Sequence, residues 1–125
     1  MPMLRNFLRA KIHRATVTEA DPDYEGSISI DRALCREAGL LEFEQVDVLD
    51  INNGARFTTY VIYGEAGQIK INGAAARLVD VGDLVIICAY IGLEPDDVPQ
   101  HSARIVQVSA ENKRVSVHTN PVREP

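Results

Sequence analysis

The feature that most limits what this chain can become is a period-two alternation of apolar and polar residues, cut at short intervals by turn signals. "EQVDVLDI" and "RFTTYVIYG" are two strand-like runs joined through "INNGA". Asn53-Gly54 in that junction tolerates positive φ and so favours a tight hairpin. Val46 and Val48 alternate, and the phase then moves to Leu49 and Ile51, which predicts a bulge in the first strand. Upstream, "RAKIHRATVTEA" alternates too, with Ala10, Ile12, Arg14 and Thr16 on one side and Lys11, His13, Ala15 and Val17 on the other. "GQIKING", the apolar "DLVIICAYI", and the late pair "ARIVQVSA" and "KRVSVHT" around "ENK" add further strands. The tail "NPVREP" is expected to fray.

One segment has helical spacing instead: Asp31 as N-cap, "RALCREA" as body and Gly39 as the stop. A chain of 125 residues is the size of one domain. Short strands at this density, with one or two short helices, indicate a mainly β class and a small β-barrel.

Charge and cysteine usage narrow the function classes. The net charge is −5, and no Lys/Arg run exceeds two residues, which argues against nucleic acid or an anionic membrane as the main partner. The apolar run "LVIICAYIGL" is too short to span a bilayer and reads as a buried strand. "MPMLRNFLRAKIHRATVTEA" lacks the long apolar core of a signal peptide. Cys35 and Cys88 have no metal-ligand spacing and read as two buried thiols, so the expected compartment is the cytoplasm.

The chemistry centres on Gly26-Ser27 in "YEGSISI". A serine hydroxyl can attack the carbonyl that precedes it and turn an amide into an ester, given strain, an oxyanion donor and a base. Glycine leaves that carbonyl open to attack. Taken alone the dipeptide is an ordinary loop-to-strand junction.

Its surroundings change that reading. "LRAKIHRATVTEADPDYEGSISID", "NNGARFTTY" and "INGAAARLVDVGD", in this order and spacing, resemble the pyruvoyl-dependent aspartate 1-decarboxylase family. The likeness runs from about residue 3 to about residue 91 and fades in the C-terminal third. It implies a double-psi β-barrel assembled as a homotetramer, with a site at the interface between copies. It also implies autocatalytic cleavage at Gly26-Ser27 into residues 1–26 and 27–125, with Ser27 becoming a pyruvoyl group. That covalent cofactor would form a Schiff base with L-aspartate and serve as the electron sink for loss of CO2, giving β-alanine for pantothenate and coenzyme A synthesis.

The resemblance also assigns roles. Tyr60 corresponds to the proton donor, and Thr59 to a residue that assists cleavage and lines the substrate site. Arg56 fits a carboxylate clamp with Lys11 as a second positive charge. Asn72, Gly73, Ala74 and Ala75 match the substrate-binding loop, where Asn72 could stabilise an oxyanion. His13 and Tyr24 match positions near the cleavage site without a core catalytic role. Two positions depart from the family pattern: Ile28 follows the serine, and Leu49 stands where some relatives carry tryptophan. Both keep the pocket apolar and should change its shape rather than its chemistry. A maturation factor is a further possible partner. Two other readings keep the fold: an uncleaved, non-catalytic barrel acting as a binding or assembly module, and the same chemistry on another short acidic amino acid.

Overall fold

A computed structural model describes residues 3–125. The strands are β1 (Arg5–Thr16), β2 (Glu19–Asp21), β3 (Ser27–Asp31), β4 (Gln45–Asp50), β5 (Arg56–Gly64), β6 (Ile69–Asn72), β7 (Leu84–Leu93), β8 (Ser102–Val108) and β9 (Arg114–Pro121). Helix α1 (Arg32–Ala38) follows β3, and 3-10 turns occupy Gly73–Leu78 and Pro95–Gln100. The fold is thus mainly β, with three short helical segments where one or two were expected.

The strands form one sheet in the order β2-β6-β3-β5-β4-β7-β1-β8-β9. β1 runs almost directly into β2, yet β2 lies at the far end of that order beside β6. Thr18 sits between them, and its N–H donates to the Ile69 carbonyl at 2.8 Å. The chain therefore closes the sheet on itself, which gives the barrel-like form the alternation indicated. Ile12, Ile28, Ile30, Ile71, Ile87 and Val106 fill the inside and are all but inaccessible to water. Each such side chain stabilises the fold by about 1.5–3 kcal/mol relative to exposure.

The phase of β1 differs from the simple alternation. Its pairing with β7 shifts between Leu8 and Ala10 and again between Ile12 and Ala15, with Arg14 at φ 68°. The second bulge inserts an extra residue, so Ala15 and Val17 join Ala10 and Ile12 in the core while Arg14 turns out. The first bulge releases Arg9, whose guanidinium bonds the Gly39 carbonyl at 2.9 Å and the Glu44 carboxylate.

The bulge expected in β4 does not occur. Register with β5 is unbroken from Gln45 opposite Tyr60 to Leu49 opposite Arg56. Asp50, not Ile51, takes the next inward position: it is 2% exposed, whereas Ile51 is 39% exposed. The reason is the turn. One Asp50 oxygen accepts the N–H groups of Asn52 (2.8 Å) and Asn53 (3.2 Å), so a polar residue holds a core-facing place because it ties the hairpin.

Helix α1 has the caps the sequence indicated. Asp31 accepts from the N–H groups of Ala33 and Leu34, and the Gly39 N–H returns to the Arg36 carbonyl at 3.3 Å. The tail is ordered further than expected, since Asn120 and Pro121 pair with Ala103 and Ser102. Among the described residues no helix is long and apolar enough to cross a membrane.

Candidate active site

Ser27 opens β3, and antiparallel pairing sets it directly opposite Asn72, the last residue of β6. Both are buried, at 2% and 1% exposure. The Ser27 hydroxyl donates to the Glu25 carbonyl (3.1 Å) and accepts from the Asn72 amide nitrogen (2.9 Å). That nitrogen also donates to Ser29 Oγ at 3.2 Å. Ser29 is a partner the motif reading missed, although its spacing of two from Ser27 puts it on the same face. Asn72 Oδ1 is buried with no partner, an unused acceptor beside the serine.

Immediately after Asn72, Gly73 adopts φ 78°. A Cβ on Gly73 would lie 2.6 Å from Gly26 Cα and 2.9 Å from Gly26 N. Glycine is required twice over, by the backbone angle and by the space. The backbone of Gly73 thus presses against the residue whose carbonyl precedes Ser27. Ala74 is exposed and Ala75 half-buried in the turn that follows.

β5 lies on the other side of β3. Parallel register aligns Ile28 with Val61, so the residues one step earlier, Ser27 and Tyr60, are neighbours on the face opposite the core. Thr59 pairs with buried Val46 and points the other way. Tyr60 packs at a tilt against Phe43, ring centroids 6.2 Å apart. Phe43, Gln45, Thr58, Thr59 and Tyr60 line an open cleft of about 540 Å³.

Arg56 and Lys11 are elsewhere. Arg56 precedes Tyr60 by four residues, roughly 13 Å along the strand. Lys11, opposite Cys88 of β7, is four strand spacings from β3 in the sheet order, about 19 Å across its surface. Between them on the outer face sit Cys88 and Asp47, directly paired. Asp47 accepts from Thr58 Oγ1 at 2.7 Å, and both border a second cleft of about 600 Å³ with Asn6, Gln45 and Tyr90.

The electrostatics of this outer face follow from packing. Burial, with the charges of Lys11 and Arg14, lowers the His13 pKa, so the ring is neutral at pH 7, with Nδ1 buried and unpartnered. Burial pushes the Cys88 thiol up, against a hydrogen bond with Tyr90 and the charge of Lys11. Burial pushes Cys35 up to about 12. Both cysteines are free and buried, as the sequence indicated. No group of His, Cys, Asp and Glu among the described residues could hold a metal ion.

In one chain, then, Gly26, Ser27, Asn72 and Gly73 converge with Tyr60 alongside, while Lys11 and Arg56 lie further along the sheet on either side of Cys88 and Asp47. The sequence that builds this arrangement matches known proteins. The family model described as aspartate decarboxylase matches residues 3–115, further into the C-terminal third than the motifs alone reached. The aspartate 1-decarboxylase of Bdellovibrio bacteriovorus is 57% identical over 108 residues, covering 86% of this chain and 87% of that protein. That of Campylobacter hominis is 52% identical over 111 residues, covering 89% and 97%, and that of Clostridium acetobutylicum is 53% identical over 109 residues, covering 86% of each. With a match of this extent spanning both halves of the serine site, the chain belongs to the aspartate decarboxylase family.

Proposed function

We propose that this chain is an aspartate 1-decarboxylase that makes its own pyruvoyl cofactor from Ser27 and converts L-aspartate to β-alanine and CO2, the β-alanine feeding pantothenate synthesis. The observation that carries this reading is the Ser27 hydroxyl, buried and held between the Glu25 carbonyl and the Asn72 amide, beside Gly26.

Cleavage uses the chain's own atoms. Ser27 Oγ attacks the Gly26 carbonyl carbon, the Gly26–Ser27 C–N bond breaks, and an ester forms. Loss of the Ser27 α-proton then breaks the Cβ–Oγ bond. Gly26 is left as a carboxylate ending residues 1–26, and residue 27 becomes dehydroalanine. Water adds there and ammonia leaves, so residues 27–125 begin with a pyruvoyl group. Asn72 Nδ2 already donates to the oxygen that moves, and Gly73 holds Gly26 in place.

The residues present fit that group: Asn72 keeps an unused buried acceptor, and Gly73 carries no side chain into the space beside Gly26. Once formed, the group supplies a ketone that captures the substrate amine and withdraws electrons as the α-carboxylate departs. Tyr60 Oη delivers the proton to the carbon that lost the carboxylate. Asn72 Nδ2, freed from the serine oxygen, steadies negative charge. Ala74 and Ala75 add only small side chains in the turn that follows Gly73.

Arg56 and Lys11 bind the substrate carboxylates, and they do so from a neighbouring copy. The backbone of Arg56 is roughly 13 Å from that of Tyr60, and β1, which carries Lys11, is roughly 19 Å across the sheet from β3, both longer than aspartate itself. A homotetramer in which Arg56 and Lys11 of one copy face the serine of the next satisfies both. Free thiols suit a reducing, cytoplasmic setting.

Intact mass under denaturing conditions tests the proposal. The expected result is two chains, 1–26 and a pyruvoyl-bearing 27–125, and a single inactive chain in Ser27→Ala. An uncleaved chain that still decarboxylates aspartate overturns it; an uncleaved, inactive wild type supports the non-catalytic barrel instead.

A further inference from the structure

The segment between β2 and β3 carries the scissile bond, and it is poorly anchored. Tyr24 is 51% exposed, and Glu25 and Gly26 are exposed too. Its internal bonds are local: the N–H groups of Asp23 and Tyr24 return to Asp21, at 3.0 and 3.4 Å. Gly73 bounds it on one side, while a Cβ on Gly26 itself would meet nothing within 4 Å. Gly73 thus restrains Gly26 from one side only.

Lys70 is placed to add a second restraint. It lies on β6, paired with Ser29 of β3 and with Glu19 of β2. Its ammonium sits 4.7 Å from the centroid of the Tyr24 ring, 3.6 Å from Glu19 Oε2 and 4.0 Å from Asp21 Oδ2. The side chain is only 17% exposed. All three partners precede the scissile bond, whereas Lys70 follows it in the chain.

Resting on cleavage at Gly26–Ser27, we propose that Lys70 is a positioning residue for that cleavage: its ammonium holds the Tyr24 face and so fixes Gly26 against Gly73 and over the Ser27 hydroxyl. The two ion pairs reach Glu19 and Asp21 in β2, before the segment, so the Tyr24 stack is the contact that bears on Gly26. Loss of an exposed cation–π contact corresponds to a change of about two- to fivefold.

The experiment follows precursor cleavage over time by denaturing gel. Lys70→Met keeps the aliphatic stem and removes the charge. Its cleavage should slow by about two- to fivefold, Lys70→Arg should restore the rate, and Tyr24→Leu combined with Lys70→Met should be no slower than either alone. Cleavage of Lys70→Met at the wild-type rate, or failure of arginine to rescue it, overturns the proposal. Should wild type itself stay uncleaved, the underlying cleavage reading fails, and the anchor is still tested in Ser27→Ala. There, the Lys70 ε-methylene protons should resonate upfield from the Tyr24 ring current, and the Glu25 and Gly26 amides should become more mobile in Lys70→Met. Unshifted protons or unchanged mobility sink the anchor on their own.

Discussion

Replacing Gly73 with alanine tests whether the contact between two glycine backbones governs cleavage. Alanine at φ 78° carries a left-handed penalty of roughly 1–2 kcal/mol. It also brings Cβ to 2.6 Å from Gly26 Cα, where ordinary contact begins at 3.4 Å. The neighbour is backbone, so Gly26 must retreat by about 0.8 Å, the difference between those distances. A displacement near 1 Å at a reacting group can cost about 10²-fold in rate. Gly54→Ala is the control. It has the same φ of 78° with nothing within 4 Å, so it carries the left-handed penalty without touching the scissile segment. Cleavage followed by time-resolved intact mass, with melting temperature measured in parallel, should separate the two. Both variants should lose similar backbone stability, and only Gly73→Ala should cleave about 10²-fold more slowly. If Gly73→Ala cleaves at the wild-type rate, or Gly54→Ala slows equally, the close approach is not what positions Gly26.

The separation of Arg56 from the serine row predicts complementation: Ser27→Ala and Arg56→Ala, each inactive alone, should regain about a quarter of wild-type activity when co-expressed in equal amounts, because each site draws on two copies. No recovery in mixed oligomers, shown by mass to contain both chains, places Arg56 and Ser27 in one chain's site or removes Arg56 from it. Asp31 predicts an acid dependence of stability. Burial works to raise its pKa, but hydrogen bonds from Gly67, Ala33 and Leu34, with Lys113 at 3.6 Å, outweigh it and hold the folded value below the ordinary 3.8. A lowered folded pKa contributes stability that is fully present above the unfolded value and lost as pH falls through the folded one. Asp31→Asn, which still caps a helix, should therefore flatten the acid-side loss of stability in denaturant melts; curves parallel to wild type would show that the carboxylate charge is not what the three N–H groups stabilise.

What the sequence revealed was whatever depends on neighbours in the chain. The hairpin at Asn53-Gly54 and the caps of α1 are local, since each needs only a few consecutive residues to be favourable. The irregularities were hidden for the converse reason. Nothing within "RAKIHRAT" says that Arg14 turns left-handed; that follows from fitting β1 against β7 and β8 together. Alternation passed over Asp50 for Leu49 and Ile51 because its carboxylate serves a turn that has no apolar signature. The serine site was legible only through family resemblance. Its central hydrogen bond joins residues 45 apart, and composition and spacing carry no trace of such a contact.

This division bears on how the proposed cleavage would be specified. Gly26-Ser27 is chemically unremarkable in an extended chain, so reactivity must come from groups that folding delivers. Those groups arrive on and just after β6: Asn72 at the hydroxyl, Lys70 at Tyr24, and Gly73, the first residue of the turn that follows, at Gly26. All three lie within four residues, on or just beyond a strand held between β2 and β3, which are the two strands that flank the scissile segment. One short stretch thus touches the bond's serine, its glycine and the approach to both. If Gly26-Ser27 is cleaved as proposed, its cleavage should depend on completion of the β2-β6-β3 pairing, which brings these groups to the bond.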